Sequence, residues 1–146
     1  MCTVREIVDT TGRGVFTTPR WAMVIEAVEL MCTAHVRVLL VGDVANPQGL
    51  ISERDILERV ILQNLDPQTT CVERAMSAPL VSLPADSTAS EALAFMCTHK
   101  LHQVPIVSDE AVVGVVSSTD LMRWATREQE TEIRALTDYC GGRYPG

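Results

Sequence analysis

Aromatic residues are scarce in this chain. Phe, Tyr and Trp make up 4% of its 146 residues, so aliphatic side chains and methionine must supply the core. Cysteine is present but poorly spaced for structural chemistry: Cys2, Cys32, Cys71, Cys97 and Cys140 are odd in number and contain no C-x-x-C pair. That speaks against a disulfide framework and a zinc ribbon, and fits a reducing, cytoplasmic compartment. Cys32 and Cys97 fall inside helical patterns and are expected to be small buried hydrophobes. No apolar run is long enough to cross a bilayer, and Met1-Cys2-Thr3-Val4-Arg5-Glu6 has no apolar signal region, so no membrane partner is expected. Positive charge is in deficit, with 12 Lys and Arg against 19 Asp and Glu and a net charge of −7. A general nucleic-acid binder needs a basic face; a nucleotide needs only a few local arginines and helix ends. There is no Gly-x-Ser-x-Gly elbow, Walker loop or dinucleotide fingerprint, and the hydroxyl run Ser117-Ser118-Thr119 has no recognisable base beside it, so catalysis is not expected. His35, His99 and His102 have no partners at metal-site spacing, so no metal is expected.

What the chain does have is a globular balance, 47% apolar and 21% charged, and a long repeat. Gly49-Leu50-Ile51-Ser52-Glu53-Arg54-Asp55-Ile56 returns as Gly114-Val115-Val116-Ser117-Ser118-Thr119-Asp120-Leu121, every position 65 residues on. Each copy reads as a short apolar strand turning into a helix. Ser-x-x-Asp before an apolar run is a capping-box variant: the hydroxyl accepts from an orphan N–H, and the carboxylate reaches back to the serine backbone. Capping alone can account for the pair. A second use stays open, because a glycine-led strand feeding a helix start is a ready anion site. A carboxylate one turn in can accept from both hydroxyls of a ribose, and the two together suit a nucleotide.

The rest of the chain repeats too. Val4-Arg5-Glu6-Ile7-Val8 is a lead-in whose counterpart, Val72-Glu73-Arg74-Ala75-Met76, lies 68 residues on; the three extra residues fall within 9–14, where Gly12 and Gly14 mark a turn. Val15-Phe16-Thr17-Thr18-Pro19 and Leu80-Val81-Ser82-Leu83-Pro84 read as short strands stopped by proline. Helical spacing follows in Met23, Ala27, Leu30, Met31 and Ala34, and again in Ala89, Ala92, Leu93, Met96 and Cys97. Runs 36–41 and 101–107 read as strands covered on both faces, followed by turns at 46–49 and 108–110. Closing helices run from Glu53 to Asn64 and from Ser118 onward, and the Asp66-Pro67 step lies in the linker that ends the first. The fold class is therefore α/β: two β-α-β-β-α repeats, 4–65 and 66–126, packed about a pseudo-two-fold axis because one copy can scarcely bury so small a sheet. Residues 118–139 contain no Gly or Pro, so the last helix is expected to extend into 127–146, about 33 Å in all at 1.5 Å per residue. Its stripe of Ile133, Leu136 and Tyr139 suits packing across the module or against a second subunit; a frayed tail is the alternative.

These motifs, with His102-Gln103-Val104-Pro105-Ile106-Val107, resemble those of the CBS domain, and two copies in tandem resemble a CBS pair, or Bateman module, from about Val4 to Thr126. The resemblance implies a free-standing regulatory module rather than an enzyme. It would bind an adenosine-containing ligand (AMP, ADP, ATP or S-adenosylmethionine) in clefts between the repeats, need no other cofactor, and pair into a flat homodimer. Position by position, the resemblance implies that Asp55 and Asp120 hold ribose hydroxyls and that Ser52 and Ser117 lie near phosphates. Ser82 and Leu83, with Thr17 and Thr18 in the first copy, would meet the base, while Val104, Pro105 and Ile106 would wall the pocket. His102 reads as a polar group at its rim. The two sites are not expected to be equivalent. Leu40 stands in the place of Pro105, and Thr119 in that of Arg54, whose planar fork suits phosphate unless it is simply a solvated helix charge. A ligand-free structural module acting through a protein partner is the rival reading.

Overall fold

The computed structural model describes residues 2–12 and 14–127, and the repeat in the sequence is a repeat in space. The first half runs α1 (Val4–Thr11), β1 (Thr17–Thr18), α2 (Val24–Ala34), β2 (Val38–Gly42), β3 (Pro47–Ser52) and α3 (Glu53–Ile56), which continues as a π-helical stretch, Leu57–Ile61. The second runs α4 (Val72–Ala75), β4 (Leu83–Pro84), α5 (Ala89–His99), β5 (Gln103–Ser108), β6 (Ala111–Ser117) and α6, the helical residues 118–127. Each half holds one three-stranded sheet of the same topology: β1 lies parallel to β2, and β2 antiparallel to β3, as β4 does to β5 and β5 to β6. Leu39, Leu40 and Val41 are all buried, as are Val104, Pro105 and Ile106, which is what a continuous apolar run on a doubly covered strand requires.

Local chemistry sets the elements. The lead-in is a full helix, because Thr3 and Glu6 form a reciprocal capping box, with Glu6 N donating to Thr3 Oγ1 (3.4 Å) and Thr3 N to Glu6 Oε2 (3.3 Å). Gly12, left-handed at φ 62°, ends it. In α5, Thr88 Oγ1 accepts from Glu91 N at 3.1 Å. The first hairpin turns earlier than 46–49, since Asp43 Oδ1 accepts from both Ala45 N (3.0 Å) and Asn46 N (2.8 Å) and Pro47 already belongs to β3. The helix expected from Glu53 to Asn64 stops at Ile61: Leu65 N donates to Val60 O, and Asn64 is left-handed. Cys32 and Cys97 are exposed rather than buried. Helix α2 buries Val24, Ala27 and Met31, and α5 buries Ala92 and Met96, so the residue after each methionine is carried round toward water. The expected helical extension past residue 127 lies outside the described residues.

The halves exchange their lead-ins. Val4 N donates to Ser87 O (2.9 Å), Arg5 N to Ala85 O (3.2 Å), and Ala89 N to Cys2 O (2.9 Å). Val72 N donates to Ala22 O (2.8 Å), Glu73 N to Arg20 O (2.9 Å), and Val24 N to Thr70 O (2.8 Å), the same set one repeat away. The side chains follow the backbone. Cys2, Val4, Ile7 and Val8 lie in one core with Met96, Val104, Ile106 and Leu121; Val72 and Ala75 lie in the other with Met31, Leu39, Ile51 and Val60. The repeat glycines serve this exchange. A Cβ on Gly49 would stand 2.5 Å from Ser77 O, and one on Gly114 would stand 2.5 Å from Val8 Cγ1. Gly114→Ala should therefore cost about 1–3 kcal/mol by overpacking. Combining it with Val8→Ala should recover part of that loss in urea denaturation, whereas strictly additive losses would contradict the close approach.

Candidate ligand site

The two strand-to-helix junctions are built alike. At the end of β3, Asp55 N donates to Ser52 Oγ (3.2 Å) and Ser52 N donates to Asp55 Oδ2 (2.9 Å). At the end of β6, Asp120 N donates to Ser117 Oγ (3.1 Å) and Ser117 N to Asp120 Oδ2 (3.0 Å). Both are complete capping boxes, so the Ser-x-x-Asp spacing has a full structural use in each copy. The junctions differ in what lies beyond. Asp55 Oδ1 accepts from Ser77 Oγ at 2.9 Å, and Ser77 pairs its backbone with Leu50. The segment after α4 thus closes over the first carboxylate. Asp120 is buried, at 6% exposure.

The repeats meet at Arg54. Its Nε donates to Glu58 Oε1 (2.8 Å), and its Nη1 lies 3.4 Å from Nε2 of His102 on the second repeat. Glu58, by that hydrogen bond and by its charge, raises the guanidinium pKa above its ordinary value. His102 is itself fixed through its backbone, its carbonyl accepting from Ser118 N at 2.9 Å. Beside it, Gln103 pairs with Ser117 across the sheet, and its Oε1 is buried without a hydrogen-bond partner among the described residues. Two cation-capable side chains from different repeats therefore share an exposed edge.

The remaining candidates are spread over the same strands. Thr17 is exposed and Thr18 buried on β1, paired with Leu40 and Val41; Ser82 is half-buried just before β4, and Leu83 pairs with Ile106. Val104 and Ile106 are fully buried in the second core, while Pro105 between them is turned to the opposite sheet face. Leu40 N donates to Phe16 O at 2.9 Å. Pro105, in the equivalent place, has no N–H, so the segment before β4 lacks that tie. Thr119 is exposed. Two open depressions lie along the linker, one bordered by Asn64, Asp66, Cys71 and Arg74 and the other by Glu58, Arg59, Gln63 and Arg74. Among the described residues, no group of three or more His, Cys, Asp or Glu side chains could hold a metal, and no helix is long and apolar enough to cross a membrane. Sequence reasoning missed Ser77 and Glu58. A contact between residues 55 and 77 leaves no periodic trace, but Arg54 and Glu58 stand at helical i,i+4 spacing and were legible as a pair.

The architecture, two three-stranded α/β halves with a Ser-Asp junction in each, is that of a tandem-repeat module. A CBS domain profile matches residues 72–127. The CBS domain-containing protein YhcV of Bacillus subtilis is 32% identical over 113 residues, covering 77% of this chain and 80% of its own. CBS domain-containing protein CBSX3, mitochondrial, of Arabidopsis thaliana is 25% identical over 97% of this chain and 73% of its own. The solved structure of a candidate signal-transduction protein with CBS domains from Burkholderia ambifaria MC40-6 aligns with a TM-score of 0.80 at 28% identity, over 87% of this chain and 96% of that one. The chain belongs to the CBS domain family, whose members are generally regulatory rather than catalytic. Ser77→Ala removes the partner of Asp55 Oδ1 and should lower stability by about 0.5–1.5 kcal/mol, and Ser52→Ala removes a cap worth about 1 kcal/mol. Urea titration reads both; an unchanged midpoint in Ser77→Ala would show that the contact carries no weight.

Proposed function

We propose that this protein is a homodimeric regulatory module that binds an adenosine-containing ligand, AMP, ADP, ATP or S-adenosylmethionine, in the cleft between its repeats. The observation that carries this reading is the approach of Arg54 and His102 from different repeats, next to two strand-to-helix junctions. A phosphate bound there has a planar guanidinium fork from one repeat and an imidazole from the other. Such a ligand ties the repeats together, and it shifts their packing only as far as it prefers one arrangement over another. In this reading Asp120 and Asp55 hold ribose hydroxyls, Ser117, Ser52 and Thr119 border the phosphates, and Ser82, Leu83, Thr17 and Thr18 border the base. Pro105 supplies apolar wall, backed by Val104 and Ile106 in the core. A ribose at Asp55 has to displace Ser77 Oγ. Regulation passes to a protein partner or to the oligomer.

The ligand-free reading draws on a specific observation of its own: both capping boxes are complete, and Asp55 is further engaged by Ser77. Thermal unfolding with millimolar AMP, ADP, ATP and S-adenosylmethionine separates the two. A ligand at 100 times its Kd stabilises the fold by about 2.7 kcal/mol and raises the midpoint. One compound should do so, Asp120→Asn or Asp55→Asn should abolish the shift, and Arg54→Ala should weaken it. No shift with any of the four, in folded protein stripped of carried-over ligand, would contradict the proposal and favour the structural module.

A further inference from the structure

The exchanged lead-ins build two equivalent frames on the surface, and the frames carry different side chains. In the first, residues 20–23 run beside 71–73: Glu73 N donates to Arg20 O (2.9 Å), Val72 N to Ala22 O (2.8 Å), and Met23 pairs with Cys71. In the second, Arg5 N donates to Ala85 O (3.2 Å), Val4 N to Ser87 O (2.9 Å), and Thr3 pairs with Thr88. At matching positions the first frame has Arg20, Trp21, Glu73 and Arg74, and the second has Ala85, Asp86, Arg5 and Glu6. Two arginines stand with one glutamate here, and two acids with one arginine there. The second frame uses its charges within the fold: Arg5 Nη1 donates to Ser108 Oγ (3.0 Å), and Glu6 closes the capping box on Thr3. In the first frame Arg20 and Arg74 are exposed, and among the described residues they form no side-chain hydrogen bond or ion pair.

Trp21 stands out beside them. It is 72% exposed, in a chain with only two tryptophans. Its turn is fixed, because Ala22 N donates to Pro19 O (3.1 Å) and Arg20 O is held by Glu73 N. The second frame is built on the same hydrogen bonds with Asp86 in this place, so the fold needs no indole there. Next to the turn, Cys71, Glu73 and Arg74 border the depression of about 510 Å³ along the linker. Asp66, on the same rim, is spent locally, its Oδ1 accepting from Gln68 N (2.9 Å). Trp and Arg are the side chains that dominate binding energy at protein interfaces. An indole and two unpaired guanidinium groups beside a concave surface fit a segment that brings carboxylates and an apolar or aromatic side chain. The net charge of −7 disfavours a long polyanion such as nucleic acid, whereas a peptide brings only a few carboxylates.

We propose that this face docks an acidic peptide segment of a partner protein, with Trp21 as the anchor and Arg20 and Arg74 pairing its carboxylates. The surface is separate from the Arg54–His102 edge, and docking there does not require a bound nucleotide. A second copy of this chain offers Asp86 and Glu6 instead, and the test reads that case too. Random peptides displayed on phage and selected on the full-length protein supply the probe. Binders should be rich in Asp and Glu around an apolar or aromatic residue. The strongest of them, made synthetically, should bind less tightly as NaCl is raised. Trp21→Ala and Arg74→Glu should each weaken it about tenfold or more, while Asp86→Ala, in the second frame, should leave it unchanged. Circular dichroism checks the fold of each variant. A selection that yields no binders, binders without acidic enrichment, or binding that survives both substitutions overturns the proposal. Sedimentation equilibrium reads the remaining case: self-association that Trp21→Ala abolishes assigns the face to a second copy and overturns the peptide partner.

Discussion

Six backbone hydrogen bonds between the lead-in segments and the opposite repeats hold this structure together. Val4 N to Ser87 O, Arg5 N to Ala85 O and Ala89 N to Cys2 O have their counterparts in Val72 N to Ala22 O, Glu73 N to Arg20 O and Val24 N to Thr70 O. Each repeat has too few strands to bury its own sheet, and a helix of the other repeat fills the gap. The constraint reaches into the sequence as glycine at 49 and 114, where any side chain would enter the space of the segment that crosses over. It also ties the two cores, because α1 and α4 each belong to one repeat by sequence and to the other by packing.

The candidate site is a by-product of that exchange. Once α4 is docked in the first core, the chain leaving it passes over β3, and Ser77 lands on Asp55. The same packing brings Arg54 of the first repeat to His102 of the second. Neither contact could exist within one copy. The repeats diverge where the crossing segments diverge: α1 runs to Thr11, while α4 stops at Ala75 and leaves Ser77 extended. Two junctions with the same capping chemistry are thereby crossed by different segments.

Much of this was legible in the sequence. The constant 65-residue offset located both strand-to-helix junctions and the paired α/β halves, because a repeat must bury the same positions each time. The Ser-x-x-Asp spacing announced a capping box at each junction, and both are present. Other features had no local signature. Met31 and Cys32 are both apolar neighbours on a helix, and only packing decides which of them faces the sheet. Thr3-x-x-Glu6 is a readable capping box, yet the lead-in it opens is too short for apolar spacing alone to mark it as a helix. The exchange of α1 and α4, the Ser77 contact and the π-helical turn at Leu57–Ile61 arise from tertiary placement, which neither periodicity nor spacing encodes.

The central claim is that the exchanged lead-ins make the two repeats one cooperative unit. Native-state hydrogen exchange on Val72→Ala tests it most directly, since Val72 is fully buried in the core of the first repeat although it belongs to the second by sequence. If the account is right, amides of β2 and β3 and those of β5 and β6 lose protection by the same free energy, because the repeats open together. Loss confined to β2 and β3, with β5 and β6 keeping wild-type protection, would contradict it.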